Sequence, residues 1–210
     1  MPKAVALIIL AALLVLPLVP AAFPVEAKQR PRTITRTYRN PTPVALPNAA
    51  GAPVSAAPYP SAIAVRGLTG RVRDIDVVLR DVSHGYPYEL QVLLVGPRGQ
   101  TAVLVAGGPS LPAADATLRL DDEAAVALPY SYTPYASGTY RPANYEPGPI
   151  AFNAPAPSAG ANAALSVFDG TDPNGAWRLF VQDKDGADYT GAIAGGWELK
   201  VTAKAKKRRR

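Results

Sequence analysis

Three carboxylates lie on one short polar stretch late in the chain: Asp183, Asp185 and Asp188, with Gly186 between them to bend the backbone. Calcium takes about six to eight oxygen ligands, mostly from carboxylates and carbonyls, so this composition suits a calcium site. The spacing is not that of an EF-hand loop, which ends in a glutamate. The competing interpretation is that Asp183 and Asp188 accept backbone hydrogen bonds and shape a hairpin, which needs no ligand.

Other residues that could do chemistry are few. Asp115 and the run Asp121-Asp122-Glu123 form a second acidic cluster with a weaker case for metal binding. The single histidine, His84, lies in a strand-turn segment, where a packed or turn-forming role is favoured over that of a ligand or base. No G-x-S-x-G segment could supply a nucleophile for a triad, and the absence of cysteine excludes thiol chemistry. We therefore expect no catalytic residues and no enzymatic activity.

Five tyrosines crowd a proline-rich stretch between residues 129 and 160: Tyr130, Tyr132, Tyr135, Tyr140 and Tyr145. So many prolines exclude a central strand or a long helix, and they predict a long surface loop. If the rings are exposed, they offer faces on which sugar rings can stack. If they are buried, they anchor the loop, and this second interpretation is favoured.

The elements around these residues are predicted to be strands. Apolar and polar residues alternate in RVRDIDVVLRDV, ATLRLDDEA, AWRLFVQD and GGWELKVT, and ELQVLLVGPRGQTAVLVAGG is typical of two strands joined by a turn at residues 96–99. Trp177 and Trp197 occupy inward positions, and we expect them on neighbouring strands, filling the gap between two sheets. Short strands, Gly/Pro turns and little helical periodicity predict an all-β fold, an antiparallel β-sandwich.

The start of the chain has the features of an export signal. Residues 1–27 combine a basic start, an apolar run and small residues up to Ala27, the order of a secretory signal peptide cleaved after that residue. An uncleaved membrane anchor is the alternative, although Pro17 and Pro20 shorten the apolar run. We expect a secreted, extracellular or cell-envelope-associated protein with no transmembrane helix after signal removal.

The net charge of +6 is segregated along the chain. Residues 28–39 and the terminal KAKKRRR carry bases without acids, whereas residues 40–203 hold 10 bases and 15 acids, a net charge of −5. The predicted organisation is a basic, Pro/Ala-rich arm over 28–60 leading into the first strands, a sandwich over 61–203 and a disordered basic tail over 204–210. An acidic domain argues against nucleic acid as a partner, while the tail is suited to an anionic surface such as a cell-envelope polymer or lipid headgroups.

Residues 168–202 resemble the closing motif of the P domain, or Homo B domain, which follows the subtilisin-like catalytic domain of kexin- and furin-type proprotein convertases. The family pattern is F-x-G-x-x-P-N-G-x-W-x-L-x-V-x-D, then G-D-x-G, then W-x-L. The matching positions here are Phe168, Gly170, Pro173, Asn174, Gly175, Trp177, Leu179, Val181, Asp183, Asp188, Gly191, Trp197 and Leu199. GADYTG stands where G-D-x-G is usual. Upstream matches are His84, Leu90, Gly96, Pro97 and Gly99, with Glu89 replacing an aspartate.

The resemblance covers roughly residues 39 to 202. It implies an antiparallel β-sandwich of the jelly-roll or galactose-binding-domain-like type without catalytic residues, because in convertases this domain stabilises the adjacent protease. Several relatives hold calcium. The implied role is an exported accessory, stabilising or protein-interaction module associated with serine-type endopeptidases and proteolysis. The alternative is a cell-surface or carbohydrate-binding module, with calcium dependence as a further expectation.

Overall fold

Strands dominate the described residues, and in several of them, such as 61–65 and 197–203, apolar residues alternate with polar or exposed ones. The computed structural model describes residues 33–49, 51–186 and 188–205. The predicted signal peptide at 1–27 lies outside these residues, and so does most of the predicted tail at 204–210. Within the described ranges, no helix is long and apolar enough to cross a membrane.

The described residues form thirteen strands and two short 3₁₀ helices. The strands are β1 (Thr33–Asn40), β2 (Val44–Leu46), β3 (Val54–Ser55), β4 (Ser61–Val65), β5 (Arg71–His84), β6 (Leu90–Val95), β7 (Thr101–Ala106), β8 (Ala113–Leu120), β9 (Gly138–Tyr140), β10 (Ala143–Asn144), β11 (Gly175–Asp183), β12 (Gly191–Ile193) and β13 (Trp197–Lys204). The 3₁₀ helices span Pro87–Glu89 and Leu165–Phe168.

The strands form two sheets that pack against each other, which confirms the predicted all-β sandwich. A seven-stranded sheet has the order β1-β13-β5-β12-β2, with β8 also paired to β5 and β9 to β8. A six-stranded sheet has the order β10-β7-β6-β11-β3, with β4 also paired to β11. Pairing is antiparallel except between β10 and β7 and between β8 and β9. The sandwich begins at β1, so the predicted boundary at residue 61 is too late: three strands precede it.

The two tryptophans fill the space between the sheets. Trp177 and Trp197 are fully buried, and their indole N–H groups donate to Pro173 O at 2.9 Å and to Ser61 Oγ at 3.0 Å. The expectation that they sit on neighbouring strands is wrong, because β11 belongs to the six-stranded sheet and β13 to the seven-stranded sheet. Each sheet therefore contributes one indole to the shared core.

The outer face of the six-stranded sheet is apolar and buried as well. Leu93, Val103 and Phe180 form a second cluster there with Ile150 and Ala159, which belong to the proline-rich segment. A strand that is buried on both faces needs apolar residues at consecutive positions. This explains why β6 and β7 are almost uninterrupted apolar runs in the sequence.

A fully buried amide holds the proline-rich segment against this face. Gln182 on β11 donates from Nε2 to Ala151 O at 2.9 Å and accepts at Oε1 from the backbone N–H of Asn153 at 3.0 Å. Asn153 in turn donates from Nδ2 to Pro53 O at 2.8 Å. Because a buried amide without partners costs free energy, these bonds fix the position of the covering segment. The outer face of the seven-stranded sheet has a different character and contains the candidate site.

Candidate functional site

The predicted calcium residues do not converge on one point. Asp183 is 1% exposed and its Oδ1 accepts the backbone N–H groups of Asp185 at 2.9 Å and Gly186 at 2.7 Å, while Asp185 and Asp188 are exposed. Among the described residues, which leave out Ala187 of this turn, no group of three or more His, Cys, Asp or Glu side chains is arranged to hold a metal ion. Asp183 thus shapes the turn, as the alternative interpretation predicts.

The second oxygen of Asp183 faces the only histidine of the chain. His84 is buried, and its Nε2 lies 3.0 Å from Asp183 Oδ2, although the pair is poorly aligned and neither atom has another partner in the described residues. The backbone N–H of Tyr86 donates to His84 Nδ1 at 3.1 Å, which places the imidazole proton on Nε2. Burial lowers the pKa of His84, against the opposing effect of Asp183, and so favours the neutral ring. His84 is packed and supports a turn, as predicted.

A second carboxylate lies near His84 and Asp183, and it was not among the predicted site residues. Glu89 ends the 3₁₀ helix Pro87–Glu89, is buried, and its backbone oxygen accepts the N–H of Lys184 at 3.0 Å. Burial, followed by the charges of Asp183 and Asp185, raises the pKa of Glu89 to about 7. Its carboxyl group is therefore an electrostatic cost to the folded protein at alkaline pH.

The five tyrosines of the proline-rich stretch divide into two groups. Tyr135 is 5% exposed and Tyr140 packs against the core, so these two anchor the segment as predicted. Tyr130, Tyr132 and Tyr145 are 54%, 78% and 42% exposed, and the rings of Tyr130 and Tyr145 lie 4.8 Å apart. Three exposed aromatic rings consequently remain at the surface, and two of them, Tyr130 and Tyr145, are adjacent.

The second predicted acidic cluster is also divided by the fold. Asp122 accepts the backbone N–H groups of Leu165 at 3.0 Å and Ser166 at 2.8 Å, and so caps the 3₁₀ helix Leu165–Phe168. Asp115 is bonded instead to Ser83, at 3.0 Å between Oδ1 and Oγ. Asp121 and Glu123 contribute to a different site.

That site is a charged groove of about 950 Å³ on the outer face of the seven-stranded sheet. Side chains of β5, β8 and β13 form its floor, and the turn after β8 and the backbone after the second 3₁₀ helix form its walls. Five acids and five bases line it: Asp74, Asp76, Asp121, Glu123, Asp169, Arg71, Arg73, Arg119, Lys200 and Lys204. The groove is thus neither acidic nor basic as a whole.

A buried ion network occupies the floor of the groove. Asp76 is 1% exposed, and its Oδ2 accepts hydrogen bonds from Lys200 Nζ at 2.7 Å and Arg119 Nη2 at 3.0 Å. Burial raises the pKa of Asp76 while the Lys200 ammonium opposes that shift. Arg119 Nη2 also lies 3.3 Å from Asp121 Oδ2. Two cations and two carboxylates therefore hold one another in place, which gives the floor a fixed charge pattern.

A β-bulge sets the side chains at one end of the groove. Thr202 pairs with Asp74 and Ala203 pairs with Val72, so Arg73 has no partner on β13. Arg73 and Asp74 both line the groove, whereas strict alternation would place adjacent residues on opposite faces. The bulge therefore brings an adjacent base and acid to the same surface.

We predict that Glu89→Gln removes part of the pH dependence of stability. A carboxyl group whose pKa is higher in the folded protein than in the unfolded chain stabilises the fold below its unfolded pKa, and this contribution is lost as pH rises through about 7. Melting temperatures at pH 5, 6, 7 and 8 should fall less steeply for Glu89→Gln than for the wild type. Parallel profiles for the two proteins would contradict the assignment.

Calcium binding at the turn remains a prediction, and Asp183 fits it poorly because its two oxygens face backbone donors and His84. We expect the melting temperature to be the same in calcium and in a chelator, for the wild type and for Asp185→Asn alike. A calcium-dependent rise of several degrees in the wild type that is lost in Asp185→Asn would restore the calcium site.

No protein-family model matches the sequence, and no curated protein matches it. The function is therefore inferred from the geometry of the site and from the roles that the motif residues between Phe168 and Leu199 have in the fold.

Proposed function

We propose that this chain is an exported, non-catalytic β-sandwich module of the P-domain type, which acts by binding a protein partner and is related to the accessory domains of serine endopeptidases. The observation that carries the proposal is the charged groove on the seven-stranded sheet. The acids and bases on its floor are held in fixed positions by the network around Asp76. A surface with ordered charges of both signs is complementary to another protein surface, since both signs recur on proteins.

The residues of the P-domain-like motif support this proposal through their roles. Asn174 accepts the backbone N–H of Leu68 at Oδ1 (3.0 Å) and donates from Nδ2 to Leu68 O (2.7 Å), so it joins two loops. Trp177 and Trp197 fill the core, and Asp183 holds a turn. Each of these side chains has a structural function, which is the expected pattern in a module without catalytic residues.

The chemistry of the groove also favours binding over catalysis. A hydrolytic site of the serine type needs a nucleophile and a base within hydrogen-bond reach. His84 is 2% exposed, is turned towards Asp183 and is not part of the groove lining. The carboxylates of the groove floor are engaged by Lys200 and Arg119. These features support recognition by charge as the function of the surface.

Site-specific cross-linking tests the proposed function. A photo-reactive residue would replace Arg73 in the groove and, as a matched control, the exposed Arg178 on β11 of the other sheet. In cells that produce the protein, we expect a cross-linked protein adduct from position 73 and none from position 178. Adducts of equal yield from both positions, or none from position 73, would count against a partner in the groove.

A second candidate function is carbohydrate binding, and the exposed rings of Tyr130, Tyr132 and Tyr145 favour it. Aromatic faces stack on the apolar faces of sugar rings, and the 4.8 Å spacing of Tyr130 and Tyr145 makes a continuous aromatic surface. Tyr135 and Tyr140 are unsuitable for testing this function, because they pack inside and their replacement would alter the fold.

For this second candidate we predict binding on a glycan array that is lost in Tyr132→Ala and Tyr130→Ala. Leu111→Ala, a change at an exposed apolar residue of the same region, serves as the control that should retain binding. The array would be run in calcium and in a chelator, which separates calcium-dependent from independent binding. An array without signal would remove carbohydrate binding as a candidate.

A further inference from the structure

Like charges face each other at one end of the groove. The register of β5 and β13 places Arg71 directly opposite Lys204, and both side chains are exposed and line the groove. Like charges at directly opposite positions of an antiparallel pair destabilise it. Arg73, the next outward-facing residue of β5, instead lies beside Asp74, Glu123 and Asp169, and its charge favours the ionised form of Asp169. Two bases, Arg71 and Lys204, thus meet where the fold alone gains nothing from their proximity.

Three carboxylates, Asp74, Glu123 and Asp169, line the same groove. Burial, and next the charge of Asp74, raises the pKa of Asp169. The hydrogen bond to Asp121, and then burial, raises the pKa of Glu123. The carboxyl groups of Asp169 and Glu123 are thus held in an environment that disfavours their charge.

None of these six residues forms an ion pair with another described residue. Arg71 does donate from Nη1 to Gly170 O at 2.8 Å, but its guanidinium has further N–H groups. Lys200 and Arg119 on the floor of the groove, by contrast, form ion pairs with Asp76. Among the described residues, the groove therefore has a satisfied centre and, outside it, the exposed bases Arg71 and Lys204 and a group of three carboxylates that form no ion pair.

We propose that the groove binds an extended segment of a partner protein in which a lysine or arginine stands close in sequence to an aspartate or glutamate. The basic side chain is received by Asp74, Glu123 and Asp169, and the acidic side chain by Arg71 and Lys204, while Arg73 lies between the two sets along β5. This inference rests on the proposed function, because it names the chemistry of the partner at the same site. A segment that carries only positive or only negative side chains would pair with one of the two sets. The like charges of the other set would continue to repel one another.

The bulge supports a ligand that carries both signs. Because Arg73 and Asp74 are adjacent in the chain and share one face, only Arg73 separates the positive set from the negative set along that face of β5. A ligand must then present its opposite charges at a similarly short separation, which neighbouring side chains of an extended chain provide. A single inorganic ion could satisfy only one of the two sets.

The experiment pans a random peptide library displayed on phage against the full chain. Enriched peptides are then synthesised with blocked ends, and their affinity is measured by fluorescence polarisation. We expect the enriched sequences to combine Lys or Arg with Asp or Glu, and we expect their binding to weaken with salt. Enrichment of peptides with one sign of charge, or of apolar peptides, would overturn the inference.

Two variants locate the binding. Lys204→Ser and Asp169→Asn should each weaken an enriched peptide about tenfold, the effect of one lost charge-assisted hydrogen bond, while Arg178→Ser on the other sheet changes nothing. Both variants should melt at the wild-type temperature or above it, since Lys204→Ser removes a like charge opposite Arg71 and burial disfavours the charge of Asp169. Undiminished peptide affinity in both variants would overturn the inference.

The two proposals can fail separately. If position 73 cross-links to a protein but the library yields no peptide, the partner does not present a short extended segment, and the inference is wrong while the proposed function stands. If position 73 yields no adduct either, both are wrong.

Discussion

The architecture depends on one constraint: a two-layer sandwich has two outer faces, and each must be either polar or covered. The six-stranded sheet is apolar on its outer face, and the proline-rich segment covers it through Ile150, Ala159 and the buried amide of Gln182. Burial of that cluster stabilises the fold at roughly 25 cal/mol for each Å² of apolar surface removed from water. The chain itself therefore covers this part of the sheet. The outer face of the seven-stranded sheet carries the charged groove, and a partner therefore has access to this face.

Burying a charged group on that face costs desolvation free energy, and the network around Asp76 reduces this cost. A carboxylate that is 1% exposed would be strongly unfavourable alone, but Lys200 and Arg119 neutralise it and satisfy Oδ2. The same cations become fixed, which lowers the entropy that a partner must remove on binding. The ion network around Asp76 at the centre of the groove has a structural role. The charged side chains outside this network form no ion pairs with described residues, and they are the ones suited to recognition.

The sequence predicts much of this fold because alternation is a local property. The strands around Ile75, Leu118, Trp177 and Trp197 follow from period-two patterns, and the role of Asp183 in its turn follows from the tendency of aspartate to accept backbone N–H groups.

The groove could not be predicted in the same way. Asp76, Arg119 and Lys200 come from strands that are distant in sequence, and only the pairing order places them together. The bulge at Arg73 could not be predicted either, because strict alternation along β5 would place the Arg73 side chain in the core. Glu89 was missed because its unusual pKa arises from burial and from carboxylates that the fold brings near.

The residues that produce the P-domain resemblance and the residues that line the groove are almost entirely different sets. The motif positions form the core, the turn before β11 and the turn after it, and of these only Gly170 lines the groove. The motif residues of this chain thus stabilise the sandwich, whereas recognition of a partner would depend on surface residues outside the motif. For this chain, the opposed bases at Arg71 and Lys204 and the bulge at Arg73 are the features that distinguish its groove from an ordinary polar sheet face.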